Sequence, residues 1–347
     1  MPTPSTARIA VVILNWNGKG FLERFLGDVV RRSHPFGRVI VADNASTDGS
    51  VAYLREHHPE VEVIEMPVNT GFTGGYNAAL EKVEAEFFVL LNSDIEVTDG
   101  WLEPLLNYMD AHPDTAACQP KILDYHRRDR FEYAGASGGF IDRLGYPYCR
   151  GRIFQHLEQD HGQYDDVREV FWATGACMMI RSRCYREAGG LDRRFFAHME
   201  EIDLCWKLHR LGYKVVIHPA SVIYHIGGGT LPKANPRKTY LNFRNNLLLL
   251  ENNLDRKEFK KIYRWRLVLD AAAAFSFIFS SGFKDFKAVV KAHRDFRKLR
   301  REPSGFTTNK LKSVSIKGFT GGDTSILYRY YICGSKRFSD LESIDKR

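Results

Sequence analysis

Four short apolar runs, each followed at once by a polar loop, constrain this chain more than any other feature. IAVVIL (Ile9 to Leu14), RVIVAD (Arg38 to Asp43), VEVIEM (Val61 to Met66) and EFFVLLN (Glu86 to Asn92) are rich in β-branched and aromatic residues and have the length of buried parallel strands. Helix-length segments separate them: Gly20 to Arg32, Ser50 to His57 and Gly75 to Val83. This alternation predicts an α/β fold, a mostly parallel sheet with helices on both faces. In such sheets ligands bind beyond the carboxyl ends of the strands. The loops there read NWNG, DNASTDGS, PVNTGFTGG and NSDIEV. Turn chemistry accounts for Asn, Asp and Gly in any one of them, but four on one edge point to a polar ligand site.

Composition narrows the field. A chain of 347 residues that is 44% hydrophobic is a folded globular protein, long enough for one large α/β domain with an appendage or for two domains. The net charge of +8 is uneven. From Leu254 onward there are 22 Lys/Arg against 10 Asp/Glu, so the tail alone carries +12. Six scattered cysteines without a CxxC pair read as reduced thiols. No run reaches the roughly 18 apolar residues of a membrane span, and the start MPTPSTARIAVVILNWNG does not read as a secretory signal. The expected location is cytoplasmic.

Within the loops, Asn15 and Asn17 follow the first strand, and Asp43 and Asn44 the second. A carboxylate at Asp43 can accept the ring N–H of a uracil- or thymine-type base, or simply begin a turn. Asp48 suits helix capping. NTGFTGGYNAAL, with Gly71 and Asn77, combines glycines with a helix start, where free backbone amides favour a diphosphate. It is neither GxGxxG nor a P-loop, so neither a dinucleotide fold nor a P-loop is expected. Asn92, Ser93 and Asp94 end the fourth strand, and one carboxylate facing two phosphates suits a hard divalent cation such as Mg2+ or Mn2+.

HMEEID concentrates acid where an apolar approach, FFAHM, meets a predicted helix over Glu200 to Leu211, with Gly212 as its stop and a strand from Tyr213 to His218 after it. Attraction of negative charge to a helix N-terminus explains part of this. Apolar neighbours would also raise a carboxyl pKa and suit it to act as a general base. His225, in SVIYHIGGGTL, follows another strand and reads either as structural or as a contact to metal or phosphate.

In this order these elements resemble the inverting family 2 glycosyltransferases of the GT-A fold, in particular the rhamnosyltransferase-like bacterial branch. The resemblance rests on VVILNWNG, VIVADNASTDGS, NTGFTGGYNAAL, FFVLLNSDIEV, the ATGACMMIRSRCYREAGGLDRRFF run, HMEEIDLCWKLHRLGY and VIYHIGGGTL, and spans about Ile9 to Asn252. It implies a nucleotide-diphosphate sugar donor (dTDP-, UDP- or GDP-linked), a divalent cation, and a saccharide or lipid-linked acceptor of a cell-surface polysaccharide pathway. By position, Asp43 corresponds to the base-binding acid and Asp94 to the last, metal-binding residue of the Asp-x-Asp motif, whose first Asp is here Asn92. Glu201 stands where the family has its catalytic Asp, with Glu200 as the alternative. His225 corresponds to a late metal or diphosphate contact. Trp172 and Thr174 fall in a segment on the acceptor and donor-sugar side, with Asp203 beside the base.

The implied organisation is a GT-A catalytic domain over 1–253 and a basic, amphipathic helical extension over 254–347. A helix over Tyr240 to Asn253 is expected to border the site, with Arg244 either at a phosphate or solvated. Beyond it, basic clusters alternate with apolar residues, which suggests helices lying on an anionic membrane surface, or ordinary helices packed on the catalytic domain. From Pro303 on, the sequence reads as loop-rich. A nucleotide-sugar hydrolase or nucleotidyltransferase of the same fold is the alternative activity. A nucleic-acid-binding protein is suggested by nothing but tail charge, and no nucleic-acid partner is expected.

Overall fold

A computed structural model of the chain describes residues 8–227, 235–304 and 325–345. The alternation in the first hundred residues becomes β1 (Ile9–Asn15), α1 (Lys19–Ser33), β2 (Gly37–Asp43), α2 (Ser50–His57), β3 (Glu62–Glu65), α3 (Gly71–Leu80) and β4 (Phe87–Asn92). Next come β5 (Ile95–Val97), α4 (Leu102–Ala111) and β6 (Thr115–Asp124). A small antiparallel sheet of β7 (Gly139–Ile141), β8 (Pro147–Cys149), β9 (Arg152–Ile153) and β10 (His156–Leu157) interrupts the series. Then follow β11 (Arg168–Glu169), β12 (Cys177–Arg181), α5 (Ser182–Glu187), α6 (Glu200–Leu211) and β13 (Lys214–His225).

The large sheet runs β3-β2-β1-β4-β12-β6-β13-β11, with β5 on β13. β1 pairs in parallel with both β2 and β4, so the strand order reverses at β1, the topological switch point where such sheets bind ligands. β12 is inserted antiparallel between β4 and β6, which makes the sheet mixed although mostly parallel in its first half. Alternate residues of the strands enter opposite cores. Ala10, Val12, Ile40, Phe88 and Leu90 pack on one side, and Ile9, Val11, Val39, Val41, Phe87 and Val89 on the other. Burial on both faces is why these strands read as continuous apolar runs.

After β13 come α7 (Pro236–Asn253), α8 (Arg256–Ser280), α9 (Phe283–Leu299), α10 (Ile326–Tyr331) and α11 (Phe338–Asp345). The last two correct the expectation of a purely loop-rich end. Phe259, Ile262, Phe296, Ile326 and Phe338 belong to the same core cluster as the sheet. No described helix is long and apolar enough to cross a membrane.

Candidate active site

Parallel register puts three strand ends side by side: Asn15 lies opposite Asp43, and Leu14 opposite Asn92. Asn15 donates from Nδ2 to the Asp43 carboxylate at 2.9 Å, and the Ser46 amide donates to the other Asp43 oxygen at 2.8 Å. Both residues are buried, and Asn15 Oδ1 has no partner among the described residues. Asn17, in left-handed backbone (φ 50°), accepts the Thr47 amide at 2.7 Å and so ties the first loop to the second. Trp16 projects between these asparagines and is 49% exposed. No motif marks it, although an exposed indole beside a polar strand end is a signal in its own right.

Several residues expected to face a ligand also tie the scaffold together. Asn44 donates to Asn69 Oδ1 and the Gly71 carbonyl and accepts the Thr70 amide, which locks one loop to the next. Asn77 bridges both backbone groups of Leu191 and accepts the Tyr185 hydroxyl. The amides at the start of α3 are occupied as well. Gly71 donates to Asn69 Oδ1, and Phe72 and Thr73 donate to the Phe196 carbonyl. Gly71 (φ 76°) is required because a Cβ there would lie 2.5 Å from the Phe196 ring. This helix start therefore does not offer the free amides expected for a diphosphate.

Trp172 is buried, donates its indole N–H to the Phe140 carbonyl and packs on Gly139. Thr174 is buried, its amide donating to Gln119 and its hydroxyl accepting the Ala176 amide. Asp203 is fully buried in a 2.6 Å pair with Lys207 and accepts from Asn252 and Asn253. Arg244 donates to the carbonyls of Arg194 and Phe195. All four hold elements together through these bonds.

On β4 and β13 the arrangement differs. β5 pairs with the end of β13, His225 opposite Ile95, and this brings the His225 imidazole Nε2 within 3.1 Å of Asp94 Oδ1. Asn92 Nδ2 is 3.5 Å from the same nitrogen. His225 Nδ1 lies 3.4 Å from Glu132, a buried carboxylate with no motif around it in the sequence. Burial disfavours the charged imidazole, yet Glu132 and Asp94 together raise it to about 10. Burial likewise opposes ionisation of Asp94, but His225 holds its carboxyl below the ordinary value. The imidazole proton is thus shared between two carboxylates, Asp94 and Glu132. Among the described residues no three ligating side chains converge on one point. A cation would displace the proton from His225 Nε2, and with Asp94 and the neutral imidazole as its protein ligands it would take the rest from phosphate oxygens and water, as Mg2+ and Mn2+ accept, so the residues fit such an ion. The glycines that follow Gly227 in this motif lie outside the described residues.

The acids lie close by. α6 forms over the expected residues, preceded by Phe196, His198 and Met199, all with positive φ. Glu201 Cβ packs 3.7 Å from the Cβ position of Gly175. The next residue, Ala176, accepts the Asn92 amide at 2.9 Å. The start of α6 therefore adjoins the strand that lies against the Asn92–Asp94 turn. Glu200 is buried and Glu201 partly buried, and each keeps one carboxyl oxygen without a partner among the described residues. Desolvation pushes Glu201 up to about 7. Glu200 is driven well above its ordinary value by deeper burial and by the charge of Glu201. The two acids are coupled, Glu200 being raised further by the charge of Glu201, so they share one proton near neutrality.

Comparison with known proteins identifies the family and the fold. The family model described as "Glycosyl transferase family 2" matches residues 10–187, just over half of the chain. An N-acetylglucosaminyl-diphospho-decaprenol L-rhamnosyltransferase of Mycobacterium tuberculosis is 25% identical over 235 residues, covering 62% of this chain and 75% of that protein. Among solved structures, the mannosyltransferase PcManGT from Pyrobaculum calidifontis in complex with GDP-Man and Mn2+ superposes with a TM-score of 0.52 at 15% identity, over 86% of this chain and 77% of its own. S. aureus TarS 1-349 in complex with UDP-GlcNAc gives 0.53 at 14% identity, over 84% and 81%. These structural likenesses speak for the GT-A fold.

Proposed function

The chain belongs to glycosyl transferase family 2, and from that premise we propose that it transfers a hexose, rhamnose first among them, from a nucleotide-diphosphate donor to a hydroxyl of a saccharide or lipid-linked acceptor, with inversion. The observation that carries this reading is Glu201. It is a carboxylate with an unpartnered oxygen and a pKa of about 7, packed against the strand beside Asp94. Similarity to the mycobacterial L-rhamnosyltransferase supports rhamnose and a lipid-linked acceptor.

Glu201 accepts the proton of the acceptor hydroxyl as that oxygen bonds to the anomeric carbon, and the bond from that carbon to the diphosphate oxygen breaks with its electron pair leaving on the diphosphate. No acid is needed to protonate this leaving group, unlike the alkoxide of a glycosidase. Glu200, raised further by burial and by the charge of Glu201, holds the shared proton and keeps a second negative charge away. Asp43, oriented by Asn15 and Ser46, accepts a base N–H, and Trp16 offers a flat face to the base. Asp94 and His225, with Asn92 and Ser93 beside them, would hold Mg2+ or Mn2+, which would neutralise charge on the diphosphate.

The tail supports a peripheral place on the inner face of the cytoplasmic membrane. Trp265, Val268, Phe275 and Phe279 of α8 and Phe283 of α9 are exposed, Phe279 to 91%, among exposed Lys261, Arg264, Lys284 and Lys287. Thermal shift of the protein against dTDP-, UDP- and GDP-sugars with Mn2+ tests the donor. Transfer to a polyprenyl-diphosphate sugar by wild type, Glu201→Gln and Asp94→Ala then tests the chemistry, and near-normal turnover by either variant would refute the assignments.

A further inference from the structure

Residues 195–199 adopt a backbone that their sequence does not favour. Phe196, His198 and Met199 hold φ values of 67°, 71° and 73°, a region that side chains other than glycine's rarely occupy. None is a glycine, so the surroundings must impose the conformation. Asn245, fully buried on α7, directs Nδ2 at three carbonyls of this turn: Phe195 at 3.0 Å, Ala197 at 2.8 Å and His198 at 2.7 Å. Arg244 donates to Asn245 Oδ1 at 2.8 Å and so orients the amide, while its Nη2 reaches the carbonyls of Arg194 and Phe195.

The turn has two neighbours in the site. On one side Phe196 caps the amides of Phe72 and Thr73 at the start of α3. On the other, Met199 begins α6, with Glu200 and Glu201 as its next two residues.

We propose that Asn245 is a positioning residue: by tying down three carbonyls it holds the 195–199 turn in its strained form and thereby fixes where the Glu201 carboxylate sits. The proposal deepens the reading of Glu201 as the base and rests on it. Without these bonds the turn relaxes toward negative φ, and the first turn of α6 rotates and admits water. The titratable groups that interact with Glu201 are Glu200 and the neutral Cys205 thiol on its own helix, with Asp203 acting on both of these, while His198 on the turn is held neutral by burial and by Lys238 of α7. Gly175, which packs against Glu201, and Phe72, which packs on Gly175, bring no charge. Desolvation is therefore the main influence that loosening the turn would remove, and Glu201 should then titrate nearer an ordinary glutamate.

The test is a carbon-13 NMR titration of carboxyl-labelled glutamates, with Glu201 assigned by its loss in Glu201→Gln, together with hydrogen exchange of peptides covering 71–75 and 195–203. Both run on the full chain without substrate. In Asn245→Ala the Glu201 midpoint should fall from near 7 by at least one pH unit, and protection in both peptides should drop about tenfold, the loss expected of one or two hydrogen bonds. Asn245→Ser, which keeps one donor, should fall between the two and decides the matter if the alanine variant does not fold. A folded Asn245→Ala or Asn245→Ser protein with an unmoved Glu201 midpoint overturns the proposal. Because neither readout needs turnover, a moved midpoint alongside full activity in Glu201→Gln would uphold the positioning role and refute the base assignment instead.

Discussion

His225 Nε2 and Asp94 Oδ1 stand 3.1 Å apart although 131 residues separate them in sequence. The pairing of β5 with the end of β13 makes the contact, and the Ile226 amide, which donates to the Asp94 carbonyl at 3.1 Å, fixes it. Two residues that would be unremarkable alone become one electrostatic unit, with Glu132 behind the imidazole as a second carboxylate.

Removing the carboxylate from that unit should remove the ion. Asp94→Ala is expected to weaken Mn2+ binding, followed by electron paramagnetic resonance, by more than the roughly 10–100-fold that loss of an outer-shell partner costs. Glu132→Gln, acting through His225, should fall within that lower range. An unchanged Mn2+ affinity in Asp94→Ala would remove Asp94 from the metal site.

As the proposed base, Glu201 should set the acid side of the pH profile. A base must be ionised to work, so kcat/KM should rise with pH through about 7 and level off above it. The stability consequence has the opposite sense. A carboxyl raised in the folded state stabilises the fold below its unfolded pKa, and that contribution is lost as pH rises through about 7. At pH 8 Glu201→Gln should therefore melt a few degrees higher than wild type while losing transfer. A lower melting temperature would contradict the desolvated environment.

The sheet and α6 were legible because their signal is local: apolar runs of strand length, and a 3.6-residue pattern between Glu200 and Gly212. The division of labour among polar residues was not. Asn44, Asn77, Thr174 and Asp203 look like site residues in a one-dimensional reading, yet they satisfy backbone groups or charges that only the folded chain brings to them. Conversely Glu132 and Asn245 carry no motif, since what matters about each is a partner tens of residues away.

Trp16 should matter for donor binding and little for chemistry. Stacking of a base on an aromatic ring is worth about 1–3 kcal/mol, and a half-exposed ring falls at the low end, so Trp16→Ala should raise donor KM roughly 5–10-fold with kcat nearly unchanged. Trp16→Phe should restore most of the loss. Steady-state kinetics with varied donor separates the two parameters, and an unaltered KM would place the base elsewhere.

If α8 and α9 rest on a bilayer, co-sedimentation should be strong with vesicles containing phosphatidylglycerol and weak with phosphatidylcholine alone. Binding should decline as salt shortens the reach of the Lys and Arg charges. Phe279→Glu with Phe275→Glu should abolish it while leaving activity on a water-soluble acceptor. Equal binding to neutral vesicles would remove the electrostatic part of the reading.

The buried network that attaches α8 gives the last prediction. Arg266 and Asp270 are almost fully buried and paired at 3.1 Å. His293 of α9 lies 3.0 Å from Asp270, Tyr146 donates to Asp270 at 3.2 Å, and Arg266 also bonds Asn246 of α7. Burial alone would raise Asp270, but Arg266 and His293 keep it below its ordinary value, so this stability is present above the unfolded carboxylate pKa and lost as pH falls through the depressed one. Asp270→Ala strands a buried guanidinium and should cost about 3–5 kcal/mol, whereas an apolar pair at both positions should recover most of it. Because the network reaches Asn246 and the Leu144 carbonyl, the damage should spread beyond the tail, and truncation after Asn253 should destabilise the catalytic portion itself. Chemical denaturation followed by tryptophan fluorescence reads both effects. An unchanged midpoint in the truncated protein would show that residues 254–347 are a separable extension after all.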